Sequence, residues 1–310
     1  MNTKILFMGT PAIAVSMLER IVKDGYQVIG VVTQPDKKFG RKQELKMSEV
    51  KQFALEHNIP VYQPLAIKDS IDEINALHPD LIVTCAYGQF IPTAILENPT
   101  YGSINVHASL LPKLRGGAPI HKAIINGEAK TGMSIMRMVK KMDAGAVMSQ
   151  CEVIIEDSDT TGTLYDKLAV AGAQLLSESI PKIIDGSAVF KEQNDEEATF
   201  AYTISKEEEY ISFHRDVKTV YNHIRGLIPM PVGYGIINGK KVKFHKVRYV
   251  QDDSKFQVGE VLGLKDDGFA IACLNGYIIL DELQMEGKSK IDARSFYNGI
   301  GKQFVHHCFD

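Results

Sequence analysis

Up to residue 155 the chain repeats one pattern. A short apolar run with little polar alternation is followed by a turn rich in Gly, Pro, Ser or Thr, then by apolar residues at helical spacing. Runs of that kind are strands covered on both faces, and their alternation with helices predicts a doubly wound, mostly parallel α/β sheet. The expected strands are 4–8, 28–32, 60–62, 81–86, 104–106, 132–138 and 146–155. Thr10 is the expected N-cap and Pro11 the first residue of a helix carrying Ala14, Leu18 and Ile21. Ser70 and Glu73 read as a capping box. Thr161 is expected to cap a long helix through Leu164, Leu168, Ala171 and Leu175, interrupted at Pro181.

The opening strand–helix–strand raises the possibility of a dinucleotide site. Its turn, however, is Gly9-Thr10-Pro11 followed by Ala-Ile-Ala, so the second and third glycines of GxGxxG are absent and that reading fails.

Residues 189–205 have weak periodicity and read as a linker, giving a first domain at 1–188 and a second at 206–310. The second begins with a capping box at Ser205 and Glu208 and a helix over 214–224. Strands follow at 232–237, 242–250, 257–262, 269–272 and 277–283, a spacing that suggests a small β-barrel of the oligonucleotide-binding (OB-like) type. Val242 and Phe244 share one parity and Val247 and Tyr249 the other, which predicts a bulge near His245 and Lys246. A helix with Phe296, Ile300 and Phe304 on one face closes the chain.

The stretch INVHASLLPKLRGG at 104–117 is where chemistry would concentrate. In a strand, residues two apart share a face, so Asn105 and His107 project together at its C-terminal end, where open α/β sheets place their sites. A lone His there is more often a structural contact than a catalytic group, and an isolated Asp143-Ala144-Gly145 is usually a turn.

Net charge is −3, so the protein is not a uniformly basic nucleic-acid binder. Charge is nevertheless local. Residues 217–251 contain no Asp or Glu but carry Lys218, Arg225, Lys240, Lys241, Lys243, Lys246 and Arg248. A second basic stretch, QPDKKFGRKQELK at 34–46, contains Lys37, Lys38, Arg41 and Lys42, and is expected to be a long polar loop. Such patches neutralise phosphates; the competing reading is a solvated loop and a lysine-protected edge strand. The four cysteines are far apart and form no CxxC pair, which fits a reducing compartment and gives no metal site. No apolar run approaches membrane-spanning length, so a cytoplasmic protein is expected, with no membrane partner and as a monomer.

The motif NVHASLLPKLRGGAPIHKAI, together with FMGTP at 7–11, AYGQFIP at 86–92 and MDAGAVM at 142–148, resembles the folate-dependent formyltransferases. The likeness spans nearly the whole chain and is nearest to the branch that formylates a charged tRNA. It implies 10-formyltetrahydrofolate as co-substrate, initiator methionyl-tRNA as partner, and no metal. The implied catalytic set is Asn105, His107 and Asp143. Ser109, Leu110, Leu111 and Pro112 would bind folate, with Tyr87, Gly88 and Gln89 flanking the pterin. Lys37, Lys38, Arg41 and Lys42 would grip the acceptor end, and Lys240, Lys241, Lys243 and Arg248 would meet tRNA in the second domain. The chain departs from the pattern in having no Trp between Pro229 and Pro231. Two rivals remain: a related formyltransferase for a nucleotide sugar or glycinamide substrate, which needs neither basic segment, and a non-catalytic tRNA-binding module, which needs no Asn-His-Asp set.

Overall fold

The structure, a computed structural model, describes residues 2–39 and 43–310. Two compact units emerge. The first holds residues up to Pro119 together with Lys130–Ile154 and Tyr165–Tyr202; the second holds Ile120–Ala129, Ile155–Leu164 and Thr203–Asp310.

The strands of the first unit are β1 (Lys4–Gly9), β2 (Gln27–Val32), β3 (Lys37–Phe39), β4 (Glu44–Lys46), β5 (Val61–Tyr62), β6 (Leu81–Cys85), β7 (Ser103–His107), β8 (Lys130–Arg137) and β9 (Val147–Ile154). Seven of them form one sheet in the order β5-β2-β1-β6-β7-β8-β9. β5, β2, β1, β6 and β7 are parallel, and β8 is antiparallel to both its neighbours. The mostly parallel sheet is therefore as expected. Ile5, Leu6, Phe7 and Met8 are all fully buried, so both faces of β1 are covered. The chain steps outward from β1 to β5 and returns on the other side at β6, which makes the C-terminal ends of β1 and β6 a topological switch point.

Helices α1 (Ala12–Lys23), α2 (Glu49–Glu56), α3 (Ile71–Asn75), α4 (Thr93–Leu96), α5 (Pro119–Ile125) and α6 (Thr161–Ile184) occur along this part of the chain. Several expected caps differ. α1 begins at Ala12 with no side-chain cap, because the Thr10 hydroxyl donates instead to the Tyr87 carbonyl at 2.9 Å, tying the turns after β1 and β6 together. Ser70 makes no cap bond. α6 is capped by Thr160, not Thr161: Thr163 N donates to Thr160 Oγ1 at 3.3 Å while Thr160 N donates to Thr163 Oγ1 at 3.0 Å. Nor does Pro181 interrupt α6, which runs to Ile184; the proline forfeits one i→i−4 bond, and the helical pattern continues past it, with Asp185 N donating to the Pro181 carbonyl at 3.0 Å.

Among its described residues the stretch 33–47 is not all loop. β3 and β4 pair antiparallel, Lys37 opposite Lys46 and Lys38 opposite Leu45, and Gln43 takes the left-handed conformation. Its polar composition hid the pairing. Arg41 and Lys42 lie outside the described residues.

In the second unit β10 (Tyr234–Ile237), β11 (Lys240–Gln251), β12 (Val261–Lys265), β13 (Gly268–Cys273), β14 (Gly276–Met285) and β15 (Ile291–Asp292) form an antiparallel sheet ordered β10-β11-β14-β13-β12, with β15 on β14. The C-terminal residues close it. Cys308 bridges Glu260 beside β12 and Phe309 bridges Ile237 of β10, so the sheet becomes a barrel. Phe213, Val220, Phe244, Phe269, Phe296, Phe304 and Phe309 fill the core with parts of α7 (Val217–Arg225) and α8 (Ala293–Gly299). The bulge is where parity placed it: Phe244 pairs Leu283 and Lys246 pairs Glu282, leaving His245 outside the ladder. Ser205 and Glu208 exchange both capping-box bonds, but the segment stays a turn, and α7 starts later behind Asp216. The final helix breaks at Ile300, which is 46% exposed, before a 3-10 turn carrying Phe304.

Candidate active site

β7 carries Asn105 and His107 on one face, while Ile104 and Val106 are buried on the other. β6 lies beside it with Thr84 next to Asn105. The Thr84 hydroxyl donates to Asn105 Oδ1 at 2.8 Å. That bond fixes the carboxamide, with the oxygen toward β6 and the NH2 turned away as a donor. Thr84 is the one polar residue in the buried run LIVTC, and a hydroxyl there must find a partner. A hydroxyl in an otherwise apolar buried strand is the sequence signal that marks it.

His107 is 6% exposed, and its Nε2 lies 3.1 Å from the Leu114 carbonyl. A carbonyl only accepts, so Nε2 carries the proton and Nδ1 is the nitrogen left for exchange. Nδ1 stands 3.8 Å from Asp143 Oδ1, longer than a hydrogen bond. The other carboxylate oxygen, Oδ2, accepts from Gly116 N at 2.8 Å. The Leu114 carbonyl, and not Asp143, orients the imidazole.

Asp143 sits at φ +49°. Strain of this kind in a non-glycine residue concentrates at functional sites. The turn also needs Gly145, since a Cβ there would come 2.0 Å from the Arg137 carbonyl. Residues 114–118 are in turn lined by a strip from the expected linker. Leu114 N donates to Thr199 Oγ1, Arg115 N to Thr199 O, and Ala201 N to Arg115 O, at 2.9, 2.9 and 2.7 Å.

The run from Ser109 to Pro112 wraps around Ser134. Ser109 is fully buried, donates to the Lys113 carbonyl at 2.6 Å, and accepts at its own carbonyl from Ser134 Oγ. Gln150 Nε2 donates both to Ser134 Oγ and to the Leu111 carbonyl. Leu110 and Pro112 are half-buried and Leu111 is buried. The Tyr87 ring lies in the core with Leu6, Met8 and Ile91, and burial pushes its hydroxyl up to about 12. Gly88 is exposed at φ +89°, and the Gln89 side chain accepts from Ile67 N at 2.8 Å. These residues offer backbone and shape to a ligand rather than free polar side chains. Exposed Phe90, Val139 and Met142 add apolar surface on the loops after β6 and β8. Burial pushes the Cys85 thiol up to about 12, so it is no nucleophile.

A separate cleft of about 540 Å³ lies behind the Asp143 turn, lined among others by Arg137, Gly145, Phe190 and Gln193. Asn105 and His107 do not line it.

The cations expected to meet nucleic acid divide in two. Lys37 and Lys38 are exposed on β3. On β11 the bulge keeps Lys246 and Arg248 on the outward face already taken by Lys241 and Lys243. Lys240 is exposed, Lys243 half-buried, and Lys241 Nζ sits 3.7 Å from the Tyr234 ring centroid. Arg248 is different. Its Nε donates to both carboxylate oxygens of Asp281, its Nη2 reaches Asp281 and the Asp266 carbonyl, and Asp281 holds the guanidinium above its ordinary range. Its charge is already matched.

A mostly parallel sheet that brings Asn105 and His107 from the end of β7 together with Asp143 from the turn between β8 and β9 defines a class. The chain belongs to the formyl transferase family, whose model matches residues 1–180, with the formyl transferase C-terminal domain matching 203–301. It is 50% identical over 299 residues to the methionyl-tRNA formyltransferase of Bacillus cereus strain B4264, covering 96% of this chain and 95% of that one. The methionyl-tRNA formyltransferase of Bacillus thuringiensis subsp. konkukian strain 97-27 matches to the same extent. Among solved structures, the sugar 3N-formyl transferase WlaRD superposes with a TM-score of 0.68 at 24% identity, over 93% of this chain and all of that one. HypX from Aquifex aeolicus with tetrahydrofolic acid gives 0.65 at 18%, over 98% of this chain and 48% of that one. These two likenesses are of fold. No helix among the described residues is long and apolar enough to cross a membrane.

Proposed function

We infer that the protein transfers the formyl group of 10-formyltetrahydrofolate to the α-amino group of methionine on initiator methionyl-tRNA, in the cytoplasm. The observation that carries this is the meeting of Asn105, His107 and Asp143 at the end of β7.

The folate supplies the formyl group on N10. Attack by the amine builds a tetrahedral carbon bearing an oxyanion; the C–N10 bond then breaks, the amine loses a proton and N10 gains one. Asn105 presents its NH2 to the oxyanion, with its orientation held by Thr84. His107 holds or moves a proton at Nδ1, because Nε2–H is engaged by Leu114. Asp143 faces that nitrogen and can accept the amine's proton through water. Ser109, Leu110, Leu111 and Pro112, with the turn at Tyr87, Gly88 and Gln89, shape the folate site through backbone. Phe90 and Met142 supply apolar surface that suits a flat pteridine.

The tRNA backbone meets Lys37 and Lys38 and β11, where Lys243 and Lys246 on the outward face and the exposed Lys240 at its start have no ion pair among the described residues. On this reading 1–188 performs the chemistry together with the strip around Gln193 and Thr199, and 206–310 holds tRNA. The 50% identity to methionyl-tRNA formyltransferases supports the acceptor, as do the basic strands, which a small acceptor does not need.

The test is to supply 10-formyltetrahydrofolate with either methionyl-initiator tRNA or an amino-sugar nucleotide or glycinamide ribonucleotide. Formyl transfer to the tRNA alone is expected. Transfer only to a small amine, or none, would overturn the reading.

A further inference from the structure

We propose that Gln193 is a positioning residue that sets the place of Asp143. The proposal rests on the formyl-transfer reading for its kinetic consequence, and on geometry alone for its structural one.

The side chain of Gln193 uses its whole hydrogen-bonding capacity. Nε2 donates to the carbonyls of Asp143 and Gly145 at 2.9 and 2.7 Å. Oε1 accepts from Nε and Nη2 of Arg115 at 3.0 and 2.7 Å. A primary amide has two donors and two acceptor lone pairs, so all four positions are filled. Both carbonyls flank the carboxylate on its strained turn.

Arg115 anchors the other end. It is 1% exposed and lies between the two residues that hold the reacting side chains: the Leu114 carbonyl accepts from His107, and Gly116 N donates to Asp143 Oδ2. The Arg115–Gln193 link therefore returns from the segment that fixes His107 to the backbone that carries Asp143. Position is what this side chain controls, since it touches neither the carboxylate nor the imidazole. Asp195 makes a looser parallel strap between Arg115 and Lys141, but it is 61% exposed and contributes less.

Gln193→Met keeps length and volume but removes all four bonds. Gln193→Glu keeps an acceptor for Arg115 and sets a carboxylate oxygen against two carbonyls. For either variant we expect kcat to fall by about 10²-fold, the scale of an ångström-sized misplacement, with KM for folate and tRNA unchanged. For Gln193→Glu the ratio to wild type should recover as pH falls, because a protonated carboxyl regains one donor. In an Asp143→Asn background Gln193→Met should cost little more; in an Asn105→Ala background it should cost its full factor. Hydrogen exchange without substrate should show faster amides over 143–146 and unchanged protection in β1 and β6.

An equal loss in both backgrounds, a loss confined to KM, or unaltered exchange over 143–146 would overturn the proposal. Absence of formyl transfer by the wild-type protein would instead overturn the functional reading, leaving the exchange result to decide the structural claim. Should Gln193→Met fail to fold, Gln193→Glu, with Arg115 still paired, carries the same tests.

Discussion

His107 and Asp143 approach to 3.8 Å, yet neither is held in place by the other. The imidazole hangs from the Leu114 carbonyl and the carboxylate from Gly116 N, so their separation is set by one tripeptide of backbone. A pair held by mutual attraction would part whenever one member lost its charge. Anchored separately to backbone, the two do not rely on each other's charge for their spacing, as the proposed proton exchange requires.

Asn105→Ala should leave folding and KM for both substrates near wild type while lowering kcat about 10²–10³-fold, the cost of one oxyanion donor. Steady-state kinetics at saturating tRNA checks this; near-normal turnover would remove Asn105 from the oxyanion role.

Thr84→Val removes the hydroxyl that holds Asn105 Oδ1 but keeps the shape of β6. One hydrogen bond is worth about 1 kcal/mol, so kcat should fall about fivefold. In an Asn105→Ala background the same change should leave kcat alone, and any further loss there would show that Thr84 acts elsewhere.

Changing Lys240, Lys243 and Lys246 together to Ala should raise KM for tRNA and lower the slope of log KM against log salt by about 2. Arg248→Ala should leave that slope unchanged, because Asp281 already neutralises the guanidinium. Titrating tRNA affinity from low to moderate salt distinguishes the two; a flatter slope for Arg248→Ala would contradict the pairing.

His223 ties stability to pH. Arg215 Nη2 donates to its Nδ1 at 2.6 Å, and its Nε2–H donates to the Glu208 carbonyl at 2.8 Å, a pattern that only a neutral ring can make. Burial is the chief cause of its lowered pKa. Below the ordinary value of 6.5 the unfolded chain therefore takes up a proton that the folded ring refuses, and stability falls as pH falls. Thermal melts from pH 7 to pH 5 should show the loss, and His223→Gln should lessen it. An equal slope in the variant would assign the acid sensitivity to other groups.

Much of this architecture was legible in residue order. Apolar runs marked every strand of the parallel sheet, and a shift of parity marked the bulge at His245, since alternation along a strand leaves no other way to keep Val247 and Tyr249 inward. Caps fared worse. Thr10, Ser70 and Thr161 carry the right side chains, but a hydroxyl takes whichever partner the packed chain brings nearest. The hairpin of β3 and β4 was masked by its lysines.

By itself the sequence determined which segments are strands, that Asn105 and His107 share a face, and that cations crowd one stretch of the second unit. Those are local matters, governed by periodicity and composition. Only the tertiary structure decided that Thr84 orients Asn105, that Leu114 and Gly116 hold His107 and Asp143, that Arg248 is neutralised, and that Gln193, from a stretch with no periodicity, secures the Asp143 turn. Each of those is a hydrogen bond or ion pair between residues distant along the chain. Its partner is chosen by where folding leaves a buried polar atom unsatisfied, which no window of neighbouring residues records.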